Sequence, residues 1–227
     1  MAIVKNHSGC YVQFTVLFLI GSLLLFPLPS QSSDPDPLQD FCIGDTKSEL
    51  SVNGFPCKPA TKVTSDDFFF DGLSKEGNTS NPFGSIVTQG NVEEFPGVNT
   101  LGIAMNRVDI APGGLNPPHS HPRATEIGVL INGKLLVGLI TTGDVYYSKI
   151  LTPGQMFVIP KGLIHFQMNI GEEKALIFTA FNSHLPGAVV VPLNLFLSKP
   201  SVPDDVLKKA FQVEKTVIDE IKSKLGA

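Results

Sequence analysis

The chain is 227 residues long, 42% hydrophobic and 17% charged, with a formal net charge of -4, 21 Gly, 18 Pro and no Trp. That length carries one globular domain or at most two small ones, and a composition this apolar and weakly charged excludes the disordered class. The slight acidic excess argues against nucleic acid as a partner.

The first segment reads as a leader. Lys5 precedes a nearly unbroken apolar run from Val16 to Phe26, which Pro27, Pro29 and the small polar stretch Ser30-Gln31-Ser32-Ser33 bring to an end. A cation, a short apolar core and small residues make a secretory signal peptide, cut near Ser33. The run falls well short of the roughly 20 apolar residues that cross a bilayer, so no membrane anchor is expected. Residues 1–32 are assigned to the leader and 33–227 to a single mature domain. Removing the leader takes away Cys10 and leaves Cys42 and Cys57, flanked by Gly44, Gly54 and Pro56. In an oxidising compartment these two read as a disulfide closing a short loop; metal-binding thiolates are the weaker alternative, because no further cysteine completes a site.

Up to about Asn99 the chain is broken by Asp34-Pro35-Asp36-Pro37, Asn53-Gly54, Asn81-Pro82 and Pro96-Gly97, so only short strands and loops fit. Asn78-Thr79-Ser80, in the same region, is a glycosylation acceptor sequence.

From Leu101 onward short apolar runs alternate with turn signals, the pattern of an antiparallel sandwich or barrel. Leu101, Ile103 and Met105 share one phase while Val108 and Ile110 share the other. The switch predicts a β-bulge at Asn106-Arg107 that re-aims Asn106. Glu126 to Ile131 and Lys134 to Ile140 flank Asn132-Gly133, the strongest short hairpin signal. Further strands are expected over Val145–Leu151, Gln155–Ile159, Ile164–Met168 and Ala175–Phe181. After Pro203, Asp204 and Asp205 offer helix caps, and Val206, Ala210, Val213, Val217, Ile221 and Leu225 recur at steps of three and four. This predicts an amphipathic helix with room for one break, packed on its own barrel or on a neighbouring subunit.

The chemistry concentrates in two segments, Gly113-Gly114-Leu115-Asn116-Pro117-Pro118-His119-Ser120-His121-Pro122-Arg123-Ala124-Thr125-Glu126 and Pro160-Lys161-Gly162-Leu163-Ile164-His165-Phe166-Gln167. Residues two apart on a strand face the same way, so His119 and His121 can bind one cation together. Glu126 has the opposite parity and joins them only if the chain bends near Pro122. His165 would arrive on a neighbouring strand. Three imidazoles and one carboxylate suit a first-row divalent metal with positions left for substrate or water. The bland alternative makes His119 and His121 loop residues and His165 a core histidine; four candidate ligands in this order with turn residues between them outweigh it.

Five residues separate Gly113 from His119, four separate His121 from Glu126, and six separate Glu126 from Gly133. This spacing resembles the first cupin motif, and Gly154 through Pro160, Gly162 and His165 to Asn169 resembles the second. The wording from Gly114 to Glu126 is similar to the germin box, and Ser33 to Cys42 resembles the start of mature germins. The resemblance implies an all-β fold, a cupin-type jelly-roll β-barrel over roughly 60–200 with C-terminal helices over roughly 203–225. It implies manganese held by His119, His121, Glu126 and His165, with His184 outside the ligand set, and it pairs Cys42 with Cys57. It further implies a secreted glycoprotein of the plant apoplast and cell wall, assembled as a hexamer described as a trimer of dimers.

Germins proper oxidise oxalate with dioxygen, and Asn106 and Asn116 match the two asparagines thought to hold that substrate. Amide donors suit carboxylate oxygens; equally, both asparagines can serve the backbone. The chain departs from germins proper at Phe83, at Leu115 and between Ile140 and Tyr147. Three functions therefore stand: a manganese germin-like protein of plant defence with superoxide dismutase-like activity, a true oxalate oxidase, and a non-catalytic wall-associated binding or storage cupin. The first two make the protein a manganese-dependent oxidoreductase with a small-molecule substrate.

Overall fold

The computed structural model of the chain describes residues 39–226. The expected leader, Cys10 and the opening stretch Ser33 to Leu38 lie outside the described residues. In chain order the strands are β1 (Ser85–Gly90), β2 (Ala104–Ile110), β3 (Leu115–Ser120), β4 (Glu126–Asn132) and β5 (Leu135–Ile140). There follow β6 (Tyr146–Leu151), β7 (Met156–Ile159), β8 (Ile164–Asn169), β9 (Ala175–Phe181) and β10 (Val189–Val190). They form two five-stranded antiparallel sheets, ordered β1-β2-β9-β4-β7 and β10-β3-β8-β5-β6. Among the described residues ahead of β1 the chain makes only short 3₁₀ turns and one isolated bridge, Gly44 to Cys57, as its many turn signals require.

Strict alternation points every second side chain between the sheets. On β9, Ala175, Ile177, Thr179 and Phe181 face inward; on β2, Ala104, Asn106, Val108 and Ile110 do so. The interior they create is divided. One end is an apolar plug of Val108, Ile110, Leu130, Leu135, Val137, Leu151, Ile159, Ala175 and Ile177. Each larger aliphatic side chain there contributes about 1.5–3 kcal/mol relative to exposure. At the other end the same strands present polar groups inward: Asn106, Thr179, Glu126, His165 and Gln167. Asn169, fully buried, closes the apolar end by donating to the Ile110, Ala111 and Glu173 carbonyls.

Three local expectations need correction. The β1–β2 and β2–β9 ladders run without interruption, so β2 carries no bulge at Asn106. Asn106 already shares the inward phase of Val108 and Ile110, whereas Leu101, Ile103 and Met105, apolar as they are, face outward and are exposed. Asn132-Gly133 is a turn, with Gly133 at φ 91°, but it makes a corner rather than a hairpin. Both edges of β4 are taken by β7 and β9, and both edges of β5 by β6 and β8. The Asn132 amide instead donates to the Lys174 carbonyl, and Gly133 sits where a Cβ would come within 2.8 Å of the Ala175 Cα.

The C-terminal segment breaks once. α1 (Val191–Phe196) is followed by α2 (Asp204–Phe211) and α3 (Lys215–Leu225), with Gln212 in the left-handed conformation between the last two. Phe196, Leu207 and Ile218 bury together, so the apolar stripe packs within its own chain, while Val206 and Val217 stay exposed. Asp204 is the third correction. It caps nothing, sitting one residue inside α2 with its carboxylate bridging to α3 through Lys222 at 2.5 Å and Lys215 at 3.1 Å. Both lysines lower its pKa, Lys222 first.

Candidate metal centre

The polar end of the barrel is assembled from both sheets. β3 and β8 pair with Asn116 opposite Gln167 and His119 opposite His165, so three steps along β3 answer two along β8. The irregularity falls on Pro117 and Pro118, which have no N–H to give the ladder. Because of it Asn116 and His119, of opposite parity, both reach the interior. The chain then turns at Pro122-Arg123 and enters the other sheet as β4, whose first residue is Glu126. This is the bend the ligand set requires.

His119, His121, Glu126 and His165 are all buried, and their ligand atoms lie within 4.8 Å of one another. Each imidazole is fixed from behind by a backbone carbonyl. His119 Nδ1 lies 2.8 Å from the Pro117 oxygen, His121 Nδ1 2.6 Å from Gly187 and His165 Nδ1 3.0 Å from Leu163. A carbonyl only accepts, so Nδ1 carries the proton and the bare Nε2 is left for the interior. The Nε2 atoms of His121 and His165 approach Glu126 Oε2 to 2.9 and 3.0 Å. Two lone pairs facing a carboxylate oxygen repel unless a cation or proton lies between them. The donor set therefore fits a divalent metal.

Electrostatics agree. Burial, helped by His165 and His121, pushes the His119 pKa down to about 4, which keeps the ring neutral. Burial alone would raise Glu126, but its close contacts with His121 and His165 outweigh it and hold the carboxyl at about 2. The site thus holds a neutral imidazole at His119 and an anionic carboxylate at Glu126 down to about pH 4, the states in which both can bind a metal.

A cavity of about 450 Å³ opens onto His119, His121 and Glu126 and is also lined by Asn106, Asn116, Thr179 and Phe181. Asn106 accepts from the Gly90 N–H at 3.3 Å through Oδ1, which leaves its NH₂ group unengaged among the described residues. Asn116 donates to Gln167 Oε1 at 2.7 Å, and Gln167 donates to Glu126 Oε1 at 3.4 Å. Gln167 was not anticipated from the sequence. It stands two residues beyond His165 on β8, a parity that points it inward once His165 is placed in the cluster.

The remaining expected residues lie elsewhere. Cys42 and Cys57 are disulfide-bonded, and Asn99 donates to Cys42 Sγ. Asn78 is exposed, its Oδ1 accepting from the Ser80 N–H. His184 is buried and accepts the Thr100 N–H, outside the ligand cluster.

Comparison with known proteins places this geometry among relatives. Residues 71–219 match the Cupin family. The chain is 54% identical to Germin-like protein subfamily T member 2 of Arabidopsis thaliana, over 90% of this chain and 92% of that one. It is 51% identical to Oxalate oxidase 2 of Hordeum vulgare, over 96% and 98% of the two chains. A solved oxalate oxidase in complex with the substrate analogue glycolate superposes with a TM-score of 0.83 at 52% identity, covering 86% of this chain and 98% of that one.

Proposed function

The chain belongs to the cupin family, among the germin-like proteins and oxalate oxidases, and on that premise we propose that it is a secreted manganese oxidoreductase of the plant cell wall that acts on a small oxyanion. One observation carries the reading: a four-donor cluster, fixed from behind and bare in front, faces a cavity. His119, His121, Glu126 and His165 would hold the ion. Bound manganese supplies a one-electron couple and open positions for a small anion.

The chain's own residues do the rest. Gln167 holds Glu126 in place, the three carbonyls fix the imidazole orientations, and Phe181, its ring 4.8 Å from His121, together with the apolar plug keeps water from the inner wall. Dismutation of superoxide asks no more of the protein than this. Oxidation of oxalate is the second reading, favoured by the amide donors of Asn106 and Asn116 in the same cavity. Both reactions release hydrogen peroxide, the product a defence role in the wall would use. The apolar leader at 1–32, the disulfide and the exposed acceptor Asn78 support secretion and glycosylation. The domain division at residue 33 and the hexameric trimer of dimers belong to the same proposal.

The test is made on purified, metal-analysed protein supplied with oxalate and, separately, with superoxide. Peroxide release in proportion to manganese with oxalate selects the second reading; removal of superoxide with no response to oxalate selects the first. A manganese-loaded protein inert to both would leave a binding or storage cupin.

A further inference from the structure

The cavity wall contains one cationic side chain, Arg123, against the carboxylates of Glu93 and Glu126. Arg123 lies in the corner between β3 and β4 and is exposed at the cavity mouth. It is fixed twice to the segment that closes the site. Its backbone N–H donates to the Pro186 carbonyl at 3.2 Å and its Nε to the Leu185 carbonyl at 2.7 Å. The guanidinium rests against Gly187, at φ 67°, where a Cβ would come within 2.8 Å of Nη2 and 3.0 Å of Nη1 and Cζ. A side chain at that positive-φ position would push the guanidinium aside, and the carbonyl of that same Gly187 receives the His121 Nδ1–H. Nη1 and Nη2 make no hydrogen bond to any described residue. An ion pair or a carbonyl cage would have satisfied them; instead a preorganised, charged fork of donors is left over on the wall of a site built for a cation.

We propose that Arg123 is the anion-receiving residue of the cavity: its Nη1–H and Nη2–H groups donate to an oxyanion group of the incoming small anion, a carboxylate or superoxide, and guide it towards the ligand cluster. The inference rests on the small-oxyanion reading and adds the residue that selects for charge. A fixed positive charge at the mouth of a low-dielectric cavity raises anion association by about 10-fold or more and makes it sensitive to salt.

The experiment compares manganese-loaded wild-type protein with Arg123→Gln, Arg123→Lys and Arg123→Glu at low and high ionic strength. It measures kcat/KM for oxalate, the second-order rate constant for superoxide, and oxalate affinity by calorimetry. The expected result is a roughly 10-fold loss in Arg123→Gln, carried mainly by KM or the association constant, a larger loss in Arg123→Glu, and partial rescue in Arg123→Lys. The salt dependence should flatten in Arg123→Gln, with metal content unchanged throughout. Wild-type rates and affinity in Arg123→Gln would overturn the proposal while leaving the oxidoreductase reading intact. So would loss of metal in proportion to activity with Lys no better than Gln, since Arg123 would then act only by clamping Gly187. Arg123-dependent oxalate binding with turnover of neither oxalate nor superoxide would do the reverse, sustaining the proposal and removing the oxidoreductase reading. A loaded wild-type protein that neither binds nor turns over either anion would overturn both.

Discussion

Gln167 shows how much of a metal site lies behind its ligands. It is almost fully buried, takes a hydrogen bond from Asn116 and gives one to Glu126, so it ties a cavity-lining amide to the only carboxylate of the cluster. Gln167→Leu keeps the volume and removes both bonds. We expect metal affinity to fall about 10–100-fold, read by competition with a chelator, because outer partners of ligands typically carry that much. The titrating residues set a second expectation, for the metal-free protein. His119 stands at about 4 against an ordinary 6.5, and Glu126 at about 2 against an ordinary 4.5. In each window the unfolded chain binds the extra proton and the folded chain does not, so stability rises with pH. Chelator-treated protein should therefore lose Tm as pH falls from about 6.5 towards 4, and go on losing it through the Glu126 window. A Tm that is flat, or that rises, on acidification across the first window would contradict the assigned protonation states. All four residues of the cluster were legible because strand parity, the Pro122 bend and the motif order constrain them. Gln167 was hidden because glutamine on a strand carries no signal until His165 is known to face inward.

At the level of elements, the sequence announces where strands begin and end far better than which strand lies beside which. β6 to β9 start and stop within a residue of their turn signals, and the break in the C-terminal helix falls at Gln212. Pairing is another matter. Asn132-Gly133 has the local chemistry of a hairpin, yet hydrogen bonding by β7, β9, β6 and β8 takes every edge the hairpin would need, a choice made by residues far away in the chain. The irregularity expected in β2 belongs to β3, where the prolines make it unavoidable; the outward apolar residues of β2 imitated a second core phase. The N-terminal strap, which has little regular structure, depends on its covalent closure. Cys42 and Cys57 are 15 residues apart, and opening a loop of that size lowers stability by about 3 kcal/mol in the chain-entropy treatment. The Cys42→Ala, Cys57→Ala double variant should show that loss in denaturant titration, with the metal content of the folded fraction preserved.

Across the whole molecule, the outside of the first sheet is unusually apolar. Met105, Ala180, Ile127 and Val158 align across β2, β9, β4 and β7, and of these Met105, Ile127 and Val158 are exposed, as is Phe69 ahead of β1. Apolar rows of this extent are what assembly covers. On the proposed hexameric assembly, Ile127→Glu should leave the barrel and its ligand cluster intact while lowering the mass measured by light scattering; an unchanged mass would place the interface elsewhere. The divided interior has a further consequence, for inheritance. Folding free energy is concentrated in Ile110, Leu130, Leu135 and Ile177, whereas the cavity-lining residues stand apart from them: Asn106 and Thr179 at other positions of β2 and β9, Asn116 on β3 and Arg123 in the corner that follows it. Mutations can rewrite the second group without drawing on the first. A lineage built on this plan can explore new substrates one residue at a time, each intermediate still a folded protein with a place for its ion.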